Sequence, residues 1–331
     1  MKPFRTIDEQ IEILKSRGLK IDLDNTKEIL FKEGYYNIIN GYKDIFLENE
    51  KDEKFKDGTT FSQIYNMYLF DNAVRNIVLN ACISIENTIE TVLSYEIAKE
   101  YGVYEAGYLN RTNYRTGIRR KTPKGNFLEL DSVLRNLNHV SSLNEEPYKH
   151  YKKKHGHIPP WILFKGINFW TLKTFLNLQK PKVKDAVTSN LLNINLNYIT
   201  EADKQFLSDI IHIVYKFRNR AAHNGRMYSF NTNESSSAVN SNTIRYYKPF
   251  HDQMNITKTI YNKGYGKSDF YTFYYACKQI LNPNEKKIFH DGMVSLTDWI
   301  RRVYGMNDTN ILKLMGIPDE LINNKNTEIF Q

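Results

Sequence analysis

From Phe61 towards Tyr101 the chain runs without a proline, and apolar residues recur along it mostly at steps of three and four: Ile64, Tyr68, Val74, Ile77, Val78, Ala81, Ile85, Ile89, Val92 and Leu93. That spacing lines up one face of an α-helix, because 3.6 residues complete a turn. A helix of this length with an apolar stripe needs other helices to cover it, so a mainly α bundle is the expected fold class. On its more polar side Asp71 and Arg75, and Glu86 and Glu90, stand four apart and read as a solvated charged face.

The flanking segments carry helix punctuation of their own. Thr6 with Glu9 forms a capping-box pattern for a helix over Ile7–Arg17, stopped by Gly18, and a second short helix leads into the aromatic stretch Tyr35–Tyr42. Pro160 suits the first turn of a short helix, and Asn168 suits the cap of another that ends before Pro181. The aromatic residues between them, Trp161, Phe164, Phe169 and Trp170, read as core. Composition divides the chain into an N-terminal helical extension (1–58), a helical core with basic loops (59–230), a polar linker or surface loop (231–242) and a C-terminal helical region (243–331). In the last region Ser268–Leu281 and Asn284–Tyr304 are the expected helices, and Arg245–Lys267 is expected to be partly extended.

Charge narrows the class of partner. The 46 Lys and Arg exceed the 37 Asp and Glu by nine, giving a pI near 9.2. Arg111, Arg115, Arg119, Arg120, Lys121 and Lys124 fall in a stretch without an acid, read as an exposed basic loop. A little later Lys149, Lys152, Lys153 and Lys154 alternate with Tyr148, Tyr151 and three histidines. Cations neutralise phosphates and aromatic faces stack on unpaired bases, so the segments together suit single-stranded nucleic acid, and each also suits an ordinary solvated surface. Cys82 and Cys277 have no neighbours at zinc-ligand spacing, and His150, His155 and His157 have no acid or thiol beside them, so neither a metal nor a cofactor is expected. No apolar run approaches the roughly 18 residues of a membrane span. Asp8 and Glu9 stand where a signal peptide would carry its apolar core, so the expectation is a soluble cytoplasmic protein without a membrane partner.

The segment richest in chemistry follows Thr200, which with Asp203 caps a helix from Glu201. Leu207, Ile211 and Val214 form its stripe, and the next member of that series is Arg218. A guanidinium on an apolar face must meet an anion, a carboxylate or a water-filled cleft. Glu86 and Glu90 on the facing helix are candidate counter-charges. Asn219, His223 and Arg226 lie at i, i+4 and i+7, which on a continuous helix is one face; Ala221 and Ala222 leave room beside them, and Asn224-Gly225 suits a helix end. Cleaving RNA without metal requires proton transfer at the ribose 2′-hydroxyl and at the departing 5′-oxygen, and stabilisation of charge on the phosphoryl group. Histidine serves the first need and arginine the second. The bland alternative is a salt-bridged arginine and a capping histidine at a helix end.

Arg218-Asn219-Arg220-Ala221-Ala222-His223 resembles the R-x(4–6)-H signature of HEPN ribonucleases, including the polar residue after the arginine. Around it Tyr35-Tyr36-Asn37, Gly41-Tyr42, Phe70-Asp71-(x3)-Arg75, Pro160-Trp161-(x2)-Phe164 and Met315-Gly316-Ile317-Pro318 resemble, in order, landmarks of the Abi-like family, the AbiD/AbiF group of phage abortive-infection proteins. Trp170 departs from the small residue expected there. The resemblance implies a HEPN-type helical bundle that cuts RNA as a homodimer, with His223 as general acid or base, Arg218 as phosphoryl stabiliser and Asn219 orienting the histidine or substrate. Arg226, Arg115, Arg119, Arg120, Lys121, Lys152, Lys153 and Lys154 are then the candidate RNA contacts. It also implies a non-coding RNA as a possible antitoxin partner, since some relatives are held in check that way. Two other classes stay open: a non-catalytic RNA-binding module, and a protein-interaction component that senses a phage product through the C-terminal region.

Overall fold

The computed structural model describes residues 4–49, 51–122, 125–233, 243–304 and 309–322. It is a mainly α protein in which the sheets among the described residues are two short hairpins. In chain order the helices are α1 (Ile7–Ser16), α2 (Thr26–Ile29), α3 (Phe61–Tyr101), α4 (Glu105–Tyr108), α5 (Glu129–Ser142), α6 (Tyr148–His155), α7 (Pro160–Leu163), α8 (Phe169–Asn177), α9 (Pro181–Leu192), α10 (Glu201–Ala222), α11 (Lys248–Gln253), α12 (Lys258–Asn262), α13 (Phe270–Ile280), α14 (Pro283–Tyr304), α15 (Thr309–Leu314) and α16 (Asp319–Ile322). The strands are β1 (Leu47–Asn49), β2 (Lys54–Phe55), β3 (Arg119–Thr122) and β4 (Gly125–Leu128), paired β1 with β2 and β3 with β4, both antiparallel.

Local sequence explains where the main helices begin. Thr6, Thr60 and Thr200 each cap a helix through a reciprocal capping box, with Glu9, Gln63 and Asp203 as partners, and Asn168 caps α8 through the Thr171 amide. Gly18 follows α1 at φ +92°, a conformation that costs glycine little. Between α2 and residue 40 the chain takes two π-helical turns, Leu30–Gly34 and Tyr36–Asn40, which carry Ile38 and Ile39 into the core.

Helix α3 is the axis of the molecule. α7, α9, α10 and α14 pack on it, and α13 packs on both α3 and α10. At Gly292 of α14 an added Cβ would lie 2.9 Å from Ile77 Cδ1 of α3, so the two helices are in close contact there. Buried residues of the 1–58, 59–230 and 243–331 segments belong to one continuous core, and Phe217 of α10 stacks on Phe273 of α13 with ring centroids 4.2 Å apart. The C-terminal region therefore buttresses the helix that bears the arginine–histidine motif.

Several expectations change. Asp71 is completely buried and Arg75 is 7% exposed, so this part of α3 is not a solvated face. The basic stretch after Arg111 includes the hairpin β3–β4, and two of its cations meet acids just beyond it: Arg111 pairs with Asp131, and Arg120 with Glu129 at 2.6 Å. The Lys-rich segment at 148–155 is helical. Arg245–Lys267 contains α11 and α12, preceded by a short non-helical stretch in which Tyr247 is extended. Trp161 is 44% exposed and Trp170 half-buried, leaving Phe164 and Phe169 as the core aromatics of that segment. Most of the polar linker, 234–242, lies outside the described residues; at its start Asn231 accepts a hydrogen bond from the Ser268 hydroxyl at 2.7 Å.

Candidate functional site

Helix α10 delivers the motif. Leu207, Ile211 and Val214 are buried as the stripe requires, and the stripe then reaches Arg218, whose side chain remains about one-third exposed. Its Nε is buried and makes no hydrogen bond among the described residues; Glu86 Oε2 of α3 is 3.6 Å away. Glu86 is thus the counter-charge, held at ion-pair distance without a directed hydrogen bond. Burial pushes the Glu86 carboxyl above the ordinary range, and the Arg218 charge opposes that shift only in part. Glu90 is not a partner of Arg218: it faces Lys165 at 3.6 Å.

The helix ends at Ala222, with His223 as its C-cap and Asn224 in the left-handed region at φ +59°. The glycine beside it is not the residue that takes the turn. His223 is exposed, and its ring makes no hydrogen bond among the described residues. Asn219 is half-buried, and its amide likewise has no partner there. Because the helix stops before Arg226, the one-face arrangement of Asn219, His223 and Arg226 does not form. Arg226 turns away to Asp44, with Nη1 at 2.7 and 2.9 Å from the two carboxylate oxygens and 3.0 Å from the Gly41 carbonyl. It ties the N-terminal extension to the motif loop and is not a free phosphate contact.

A buried strut fixes that loop. Asp71 accepts from the Met227 and Tyr228 amides, both at 2.9 Å, and from the Tyr42 hydroxyl at 2.7 Å. Arg75 donates from Nε to the Gly225 carbonyl at 3.2 Å and from Nη1 to Asn224 Oδ1 at 2.8 Å and to Asn72, while Nη2 lies 3.3 Å from Asp71. Two landmarks distant in sequence, Gly41-Tyr42 and Asp71-(x3)-Arg75, thereby converge on the residues directly after His223. Sequence reasoning missed this role, although the signal was there. Asp71, Arg75, Val78, Cys82, Ile85 and Ile89 follow steps of three and four, so the pair interrupts an apolar stripe as Arg218 does.

The other candidate RNA contacts are peripheral to this loop. Arg115, Arg119 and Lys121 are exposed, and Arg120 is engaged by Glu129. Lys152, Lys153 and Lys154 are exposed on α6 and form no ion pair among the described residues. Among those residues no group of His, Cys, Asp and Glu is placed to hold a metal ion, and no helix is long and apolar enough to cross a membrane.

Fold and site together define a mainly α protein in which the longest helix holds, through buried charged residues, the loop that directly follows an arginine–histidine motif at the end of α10. The chain belongs to the Abi-like protein family, whose family model matches residues 28–229, well over half of its length. That span contains Tyr42, the Asp71–Arg75 strut and the whole motif through Arg226. No curated protein and no solved structure matches the chain.

Proposed function

We propose that this protein is a HEPN-type, metal-independent endoribonuclease that acts in the cytoplasm as an abortive-infection toxin and is open to restraint by a non-coding RNA. The observation that carries the reading is the state of the motif: the Arg218 guanidinium lies 3.6 Å from Glu86 without a hydrogen bond, and His223 stands exposed at the helix end with its ring unbonded, both among the described residues. Arg75 and Arg226 are consumed by structure, whereas these two groups remain able to engage a substrate. His223 would take the proton from the ribose 2′-hydroxyl or give one to the departing 5′-oxygen, and Arg218 would stabilise charge on the phosphoryl oxygens. Asn219 is placed on the same helix to orient either. The products would be a 2′,3′-cyclic phosphate and a 5′-hydroxyl.

One chain supplies one arginine and one histidine of this pattern. Two copies facing across a two-fold axis would gather both pairs around one cleft, and the exposed Ala222 leaves the surface beside His223 free of bulk. Complementation tests this arrangement. Arg218→Ala and His223→Ala proteins, each inactive alone, should recover cleavage of end-labelled RNA when unfolded and refolded together, because a mixed dimer restores one arginine and one histidine to the shared cleft. Failure of a verified mixed dimer to cut would overturn the composite site.

A second reading, a non-catalytic RNA-binding module, is favoured by a specific feature: three consecutive exposed lysines on α6 without carboxylate partners among the described residues. Under that reading Lys152–Lys154 govern affinity and its salt dependence, and alanine at His223 changes neither.

A further inference from the structure

Asn224 and Gly225, which follow His223 in the chain, line a polar cleft of about 360 Å³, within the roughly 300–1,000 Å³ range of small-molecule sites. One wall is the π-helical turn with Tyr36 and Asn40, the other is the last turn of α10 with Arg220 and the loop residue Asn224, and Tyr68 and Arg75 complete it. The arginines around it differ in what they have left to give. Arg226 is taken by Asp44 and Gly41, and Arg75 by Asp71, Asn72, Asn224 and Gly225. Arg220 is different. Its Nε donates to the Arg226 carbonyl at 3.3 Å and its guanidinium carbon sits 5.2 Å from the centre of the Phe230 ring, yet it has no carboxylate partner and its terminal nitrogens make no hydrogen bond among the described residues. Glycine at 225 permits this pose: a Cβ there would stand 2.2 Å from Arg220 Nε. The side chain is therefore fixed along its length while its fork stays open, the condition in which a guanidinium receives a phosphate at little cost in ordering.

Across the cleft Tyr36 is 76% exposed although it lines a concave surface. An aromatic ring left bare at the mouth of a polar cleft offers a base a stacking partner without regard to its identity. Asn40 adds an exposed side-chain amide that can donate and accept.

We propose that this cleft is a subsite for a single ribonucleotide of the RNA strand, with Arg220 holding its phosphate and Tyr36 stacking on its base. Its place next to the cleaved bond rests on the ribonuclease reading; nucleotide binding by the cleft does not. The assignment replaces Arg226 with Arg220 as the arginine near the end of α10 that touches RNA.

The test uses the full chain and a fluorescein-labelled 2′-O-methyl hexanucleotide of mixed sequence, which lacks the nucleophile and cannot be cut by 2′-hydroxyl attack. Binding is read by anisotropy across a salt series. Arg220→Ala should weaken binding about tenfold and lower the salt slope by roughly 0.7, the increment for one phosphate contact on a single strand. Gly225→Ala should reproduce most of the loss by displacing the Arg220 guanidinium, and Tyr36→Ala should cost at least about fivefold. Tyr36 and Arg220 are surface residues, so thermal melts of both variants should match the wild type. Wild-type affinity retained in Arg220→Ala and Gly225→Ala, or no binding by the wild type, overturns the subsite. Cleavage of the matching RNA in EDTA is scored separately. Arg220-dependent binding without cleavage supports the subsite and counts against the catalytic reading, whereas cleavage with Arg220-independent binding does the reverse.

Discussion

Replacing Asp71 by alanine should be among the most damaging single changes on α3, far larger than expected for a charged residue in an i, i+4 pair. Asp71 is fully buried, and its removal leaves the Met227 and Tyr228 amides, both in fully buried residues, without their acceptor. It also strips the Tyr42 hydroxyl and the Arg75 guanidinium of a partner. Each orphaned buried donor costs about 1–3 kcal/mol, and breaking a buried ion pair by removing one side costs about 3–5 kcal/mol. The terms overlap, and burial holds the Asp71 carboxyl above its ordinary range, so the carboxylate itself carries a desolvation penalty that the mutation relieves. The net expectation is about 3–5 kcal/mol. At roughly 2 °C per kcal/mol, the low end suited to a long chain, Tm should fall by about 6–10 °C in a circular-dichroism melt. A double-mutant cycle isolates the charge pairing: Arg75→Leu should cost less in the Asp71→Ala background than in the wild type, with a coupling of about 1–3 kcal/mol. A Tm within about 2 °C of wild type, or strict additivity of the two changes, would refute the strut.

Two further outcomes follow from the C-terminal buttress. Burial pushes the Asp269 carboxyl up to about 6 from its ordinary 3.8, with hydrogen bonds from Thr272 opposing the shift. The native state then keeps a proton that the unfolded chain has released. The stability Asp269 contributes is therefore complete below about pH 4 and lost as pH rises to about 6, some 3 kcal/mol over the window; Asp269→Asn, which retains a cap acceptor for α13, should flatten Tm against pH there. Gly316 sits at φ +89°, with the position of a Cβ only 2.2 Å from Asp269 Cγ, so Gly316→Ala should cost about 2–4 kcal/mol in denaturant unfolding; an unchanged midpoint would contradict the packing described at the landmark Met315–Pro318.

What could be read in advance depended on whether the governing interactions were local. The long helix, its apolar stripe and the caps at Thr6, Thr200 and Asn168 are set by residues a few positions apart, and they formed where the spacing placed them. Arg218 interrupting a stripe was legible for the same reason, whereas the choice of Glu86 over Glu90 as its counter-charge is made only by the packing of α10 on α3. The misreadings involve long-range contacts. Glu90 meets Lys165 from another helix, and Asp71 is buried because the segments around Tyr42 and Met227 close over it. Arg226 is drawn off the helical face by Asp44, far earlier in the chain, after Asn224 has already turned the backbone. Arg220 could not be singled out from its neighbours, since its freedom is defined only by which other arginines have found carboxylates.

The most direct measurement is cleavage itself. Wild-type and His223→Ala proteins, stripped of bound nucleic acid, are incubated with end-labelled RNA in EDTA, and the product termini are determined. Because the His223 ring has no partner among the described residues, the variant should fold and melt like the wild type. The expected result is cutting by the wild type alone, leaving 2′,3′-cyclic phosphate and 5′-hydroxyl ends. Equal cleavage by the two proteins, 5′-phosphate products, or no cleavage by either while both retain one discrete RNA would contradict the catalytic assignment.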